Sequence, residues 1–275
     1  MPLCFGSTTT CGPCHRPSLQ ALTGAEAFWQ VGYADLDDRL GRANLGRSLR
    51  VRLEPPSQPP SQATGNQTLM QATWLLVYFA VLIWSAIRPH DYFTWALEVA
   101  PAIVGLIVLL ATYRRFRLTN LSYLLILIHC IILMVGGHYT YAEVPLFDVI
   151  NDVFGSGRNN YDKIGHFAQG FVPALLAREI LIRLNVIRGS RWLTFFVVTF
   201  ALALSAFYEL IEWWVALLSG ASAEAFLGTQ GYVWDTQSDM AFALLGAIIA
   251  VILLGKVQDR QIAGLRNYAD TGLAP

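Results

Sequence analysis

Charge is what this chain has least of. Only 14% of its 275 residues are Asp, Glu, Lys or Arg, where soluble domains carry about 25%. With 55% hydrophobic residues and a mean hydropathy of +0.45, that shortage excludes an ordinary soluble domain. The formal net charge is zero, so the basic excess needed for nucleic-acid binding is absent and no nucleic-acid partner is expected. Lysine is nearly missing, with only Lys163 and Lys256 among the basic residues. Cysteine is sparse as well. Cys4, Cys11 and Cys14 crowd the N-terminus and Cys130 sits in an apolar run, which excludes a disulfide framework. The N-terminus also lacks the basic stretch and continuous apolar run of a cleavable signal peptide.

What is present is a series of long apolar runs. Six segments, near Met70–Ile87, Tyr92–Thr112, Asn120–Tyr141, Tyr161–Ile187, Trp192–Ser219 and Val233–Leu254, are each at or near the ~20 residues that cross ~30 Å of hydrocarbon. The expected fold class is all-α: a polytopic membrane protein with a bundle of about six transmembrane helices at residues 70–258. Residues 259–275 read as a cytoplasmic tail. Residues 1–69 read as a cytoplasmic, disordered extension containing a Pro/Ser/Gln linker at 55–62. An amphipathic helix over 25–52 is a further expectation, and a start codon assigned too far upstream would also account for the extension.

Basic residues set the orientation. Arg114, Arg115 and Arg117 lie in the second loop, and Arg183, Arg188 and Arg191 lie around the fourth. Lys256, Arg260 and Arg266 follow the last segment. The third loop instead carries Glu143, Asp148 and Asp152 against Arg158. This pattern predicts an inner-membrane protein with both termini in the cytoplasm and loops one, three and five outside.

Against that frame, Glu98, His138, Asp162, His166, Glu209, Glu212, Asp235 and Asp239 are out of place, since ionisable groups in spanning segments are costly and mark functional sites by default. At ~1.5 Å per residue all eight fall in the outer third of the bundle. Asp162 and His166 are i, i+4, as are Asp235 and Asp239, while Glu209 and Glu212 are i, i+3, so three helices each offer a pair on one face. Facing pairs of this kind build metal sites in bundle cores. Oxygen and imidazole donors suit Zn, Mn or Fe. His138, His166, Glu209 and Asp239 are the expected ligands of a divalent metal, Glu212 or Asp162 the general base, and Asp235, Glu98, Glu143 and Lys163 the surrounding pocket. The bland counterpart is a set of interhelical ion pairs, with Lys163 and Arg158 neutralising two carboxylates. The inner half is nearly free of such groups apart from His129, which counts against a transport path.

Other motifs are weaker. Cys11-Gly12-Pro13-Cys14-His15 matches haem-attachment and redox patterns, yet neither context surrounds it, and it reads as a chance match. His129 reads as a hydrogen-bonded interior residue. Gly136-Gly137 reads as a loosening of the third helix end. Gly170 and Pro173 read as a kink or a close helix contact. Asp235 is suited to cap the last helix, a role that leaves Asp239 unexplained.

Four motifs in order carry a resemblance. They are Gly137-His138-Tyr139-Thr140-Tyr141-Ala142-Glu143-Val144-Pro145, Tyr161-Asp162-Lys163-Ile164-Gly165-His166-Phe167, Phe207-Tyr208-Glu209-Leu210-Ile211-Glu212-Trp213, and Gly228-Thr229-Gln230-Gly231 through Trp234-Asp235-Thr236-Gln237 with Asp239-Met240. From about Met70 to Arg266 the chain resembles the YjdF family of bacterial inner-membrane proteins. Tyr232 and Ser238 depart from the family pattern, where Asp and Trp are expected. More loosely, Asp162-Lys163-x-x-His166-Phe167 is similar to the VanZ-like membrane proteins, linked to glycopeptide resistance. The resemblance implies a fold and a location but not a reaction.

The first expectation is therefore an enzyme or binding site of the outer face, metal-dependent and acting on a lipid or envelope precursor, with membrane lipids as surroundings. A proton-coupled transporter and a structural or accessory membrane protein stand as alternatives.

Overall fold

The computed structural model describes residues 60–155, 157–187, 190–219 and 224–270. The amphipathic stretch at 25–52 and the cysteine motif at 11–15 lie outside them. The described chain is all-α. Its helices are α1 (Pro60–Ala86), α2 (Tyr92–Thr112), α3 (Asn120–Tyr139), α4 (Pro145–Phe154), α5 (Tyr161–Arg183), α6 (Ser190–Ser219), α7 (Glu224–Leu227) and α8 (Asp235–Asp270), with a single 3-10 turn at Tyr141–Glu143. Among the described residues five segments are long and apolar enough to cross a membrane: Gln67–Ala86, Tyr92–Thr112, Asn120–Tyr139, Ser190–Ser219 and Asp235–Leu265. The architecture is that of a polytopic membrane protein.

Local chemistry explains most boundaries. Pro60, expected in an extended linker, opens α1, where the missing N–H costs nothing. Asp91 caps α2 by accepting from the Thr94 amide at 2.6 Å, and that bond holds its carboxyl below the usual carboxylate range. Thr119 caps α3. The third segment ends two residues before expected because Thr140 takes φ 61°. The last helix does not stop near Leu254 but runs to Asp270, with no proline to break it. The third loop contains a helix that was not anticipated. α4 places Leu146, Val149, Ile150 and Val153 on its exposed side, at the i, i+3, i+4, i+7 spacing of an amphipathic helix.

α5 is the central element and lies against α3, α6 and α8. Its charged residues face protein: Asp162, Lys163 and Glu179 are buried, and Arg178 and Arg183 are half-buried. Its seam with α8 is built from small residues. Ala243, Ala247 and Ala250 are wholly buried. A Cβ at Gly170 would run into the Ala243 backbone, and one at Gly246 into the Phe167 backbone. Such close crossings let dispersion contacts hold helices together where lipid offers no hydrophobic drive. Gly170 is thus a packing residue, as one sequence reading had it. A second core joins Tyr78 of α1 to Val99 and Ala102 of α2 and to Met134 of α3. The buried Tyr78 hydroxyl donates to the Ala102 carbonyl at 3.0 Å, as a polar group in hydrocarbon must.

Gly170→Ala is expected to force α5 and α8 apart and cost about 1–3 kcal/mol, read as a lower melting temperature of the detergent-purified protein. Gly105→Ala, whose Cβ meets nothing within 4 Å, should be neutral. Equal behaviour of the two variants would refute the close crossing.

Candidate metal centre and buried polar cavity

Three helices converge on one polar cluster. α5 brings Asp162, Lys163 and His166, α8 brings Asp235 and Asp239 from its first two turns, and α6 brings Glu209 and Glu212 near its C-terminal end. All seven are buried, as is Glu98 of α2. One ligand atom from each of Asp162, His166 and Asp239 lies within 4.8 Å of the others. His166 Nε2 is 3.3 Å from Asp162 Oδ1 and 3.7 Å from Glu209 Oε1. His166 Nδ1 lies 3.0 Å from Gln169 Oε1. An amide oxygen only accepts, so Nδ1 carries the proton and Nε2 is left facing two carboxylates. In the neutral ring that nitrogen needs either a second proton or a metal cation between itself and those oxygens.

Lys163 forms the other half of the cluster. Its ammonium donates to Asp239 Oδ1 at 2.5 Å and Asp235 Oδ1 at 2.7 Å, and reaches Asp162 Oδ2 at 3.5 Å. Arg158 donates to the same Asp235 oxygen at 2.9 Å. Tyr232 lies beneath both cations, its ring centre 5.3 Å from the Arg158 guanidinium and 5.8 Å from Lys163 Nζ. The Tyr232 ring offers a π face to both charges. The Gly228–Gly231 loop is held in place by Gln230, whose side chain accepts from the Asn159 amide at 2.9 Å and donates to the Asn159 carbonyl at 2.8 Å. This pair of hydrogen bonds clasps the start of α5 to the start of α8.

Among the described residues, Glu209 Oε1 is buried without a hydrogen-bond partner. A cavity of about 150 Å³ opens beside the cluster, with Glu98, Asp162, His166, Tyr208 and Glu212 on its wall. It continues to His129 on α3 and to Pro173, further along α5. Tyr141 fills the wall between α3 and α5, because Gly136 and Gly165 leave room for its ring. Burial next to Glu98 pushes the Tyr141 hydroxyl well above its usual range, so it remains a donor.

Two expected members lie elsewhere. His138 is not in the ligand group. Its Nδ1 sits 3.1 Å from the Ser85 carbonyl and its ring packs on Trp84 at 4.5 Å, because its position on α3 faces α1. Glu143 is exposed and pairs with His90 at 3.3 Å on the surface, since the 3-10 turn carries it away from the cluster. Asp162, expected as a base, lies among the ligand atoms, while Asp235 and Lys163 form the ion-paired flank. Gly136 packs against Tyr141 rather than loosening α3. His129, Tyr208, Tyr141 and Gln169 were not expected on the cavity wall. Only the spacing of Gln169, three residues after His166, could have signalled it.

The comparisons with known proteins bear on the same region. Residues 70–260 match the family model described as "Predicted membrane protein (DUF2238)". Over 194 residues the chain is 54% identical to the inner membrane protein YjdF of Escherichia coli (strain K12), covering 70% of this chain and 93% of that protein. The chain belongs to the YjdF family. It is accordingly a multi-pass protein of the inner membrane. Every residue of the cluster and cavity falls inside the matched span. No solved structure matches the chain.

Lys163→Met is expected to leave three buried carboxylates without their shared cation and to cost about 3–5 kcal/mol, measured as a drop in melting temperature. Adding Asp239→Asn should recover part of the loss, because the pair is coupled. A Lys163→Met protein as stable as the parent would overturn the ion-pair description.

Proposed function

We propose that Asp162, His166 and Asp239, with Glu209 alongside, hold a divalent cation, and that this centre belongs to an enzyme or binding site for a lipid or envelope precursor. Zn, Mn or Fe fits the nitrogen and oxygen donors. In this reading α5 is the sixth spanning helix, both termini are cytoplasmic, and the cluster opens to the outer face. The observation that carries the proposal is the buried Glu209 oxygen, which among the described residues has no hydrogen bond and lies 3.7 Å from His166 Nε2. The charge balance adds support. Among the described residues this region holds six buried carboxyl groups, at positions 98, 162, 209, 212, 235 and 239, and only Asp162, Asp235 and Asp239 reach Lys163 or Arg158. A bound divalent ion would supply Lewis acidity. Glu212, buried on the cavity wall, would take up a proton there.

A second reading, a proton-coupled carrier, gains from the reach of the cavity to His129. Carriers place titratable groups along a path of this kind. At the far end of the bundle, however, Glu179 is fully engaged by Thr119, Ser122 and Arg183, which favours the one-sided site.

Elemental analysis of the full chain purified in detergent is expected to find a near-stoichiometric divalent metal. It should fall to background in His166→Gln and Glu209→Ala with the elution volume unchanged. A membrane-impermeant chelator should strip it from spheroplasts, as the outward orientation requires. Background metal in the parent protein would sink the centre, and metal protected until the membrane is broken would sink the orientation. For the carrier reading, His129→Leu should abolish proton uptake in proteoliposomes. Uptake that is unchanged, or absent in the parent, would remove it.

A further inference from the structure

The cavity beside the cluster has acceptors well in excess of donors. Glu98 and Glu212 reach it from α2 and α6, with 4% and 9% of their surface exposed. Among the described residues, Glu212 has no hydrogen-bond donor, and Glu98 has the Tyr141 hydroxyl. Pro101 and Pro173 also line the cavity, each inside a helix. A proline has no N–H for the carbonyl four residues earlier, so the carbonyls of Leu97 and Gln169 lose their helical donors. Within a membrane such acceptors find no partner in lipid.

Among the described residues no Lys or Arg lines the cavity, and the His166 imidazole on its wall is engaged by Asp162, Glu209 and Gln169. Lys163 is committed to Asp235, Asp239 and Asp162. The missing partner is therefore a cation that also brings several N–H donors. The remaining wall narrows the choice further. Leu133, Leu204 and the two prolines are apolar, and Tyr141 and Tyr208 add aromatic rings. An apolar cavity of about 150 Å³ accommodates a molecule the size of benzene, and the volume here is about 150 Å³.

We propose that this cavity binds a primary ammonium group carried on a short alkyl chain, with Glu212 and Glu98 taking the N–H donors. A quaternary ammonium suits the aromatic rings but brings no N–H for either carboxyl group. A metal ion fits the carboxyl groups but leaves the apolar wall empty. The same headgroup occurs on a free small amine and on an aminophospholipid. The inference rests on the cavity and stands without the metal centre, with which it shares only Asp162 and His166.

The test uses the full chain in detergent, at fixed pH and in the presence of a chelator, so that failure of the metal proposal leaves it readable. Ethanolamine hydrochloride is titrated while unfolding is followed by tryptophan fluorescence. Tetramethylammonium chloride and ethylene glycol serve as comparators. A saturable rise in melting temperature is expected with ethanolamine alone. Glu212→Gln and Glu98→Gln should each weaken the response by about tenfold, and the surface variant Glu143→Gln should not. In nanodiscs, native mass spectrometry showing retention of phosphatidylethanolamine over phosphatidylcholine would identify the lipid source. Ethanolamine binding without that preference would identify a free amine. An equal response to all three additives, or unchanged affinity in both glutamate variants, would overturn the proposal.

Discussion

Lys163 is the side chain on which the arrangement of this bundle turns. A buried ammonium and the carboxylates around it are each expensive to remove from water, and the cost is offset only when they meet at hydrogen-bonding distance. That meeting needs α5 and α8 to come unusually close, which Gly170, Gly246 and the run of buried alanines on α8 permit. It also needs the two helix starts to sit level with each other, which the Gln230–Asn159 bonds enforce. The seam, the loop clasp and the ion pairs are thus three parts of one requirement. Loss of any of them leaves charge stranded in a medium that does not solvate it.

The two ends of the bundle handle buried polarity differently. Glu179 is wholly inaccessible, yet it accepts from a backbone amide, two hydroxyls and Arg183, and Gln258 joins Arg178 to the Leu175 carbonyl. Every group there has a partner, as interhelical hydrogen bonds in membranes require. At the other end Lys163 is shared by three carboxylates, but among the described residues Glu209 Oε1 and Glu212 beside it accept no hydrogen bond. Buried carboxylates without donors beside a cavity are what a binding site needs and structural reinforcement does not.

The sequence made the layer legible and left its internal division hidden. Apolar length located the long helices, and i, i+4 spacing grouped Asp162 with His166 and Asp235 with Asp239. Depth alone recruited His138, and Glu143 was added from the third loop. Depth says nothing about azimuth: His138 turns toward α1 and Glu143 toward water. Lys163 was read only as a neutraliser of one or two acids because its three-way contact depends on how closely α5 approaches α8. Tyr141 and Tyr208 escaped notice because an aromatic in an apolar run reads as ordinary packing. α4 escaped because ten residues are too few to register as a membrane segment, although its apolar spacing is plain once its ends are known.

The reach of α8 carries a mechanical consequence. Its 36 residues span about 54 Å, well beyond the ~30 Å of a bilayer core, and no proline interrupts them. Asp235 and Asp239 occupy one tip of this rod, while Gln258 and Gln261 fasten its shaft near the other end to Leu175 and Leu121. A stiff beam clamped at two points does not bend in isolation. Held near both ends, the rod fixes the height of Asp235 and Asp239 relative to Leu175 and Leu121.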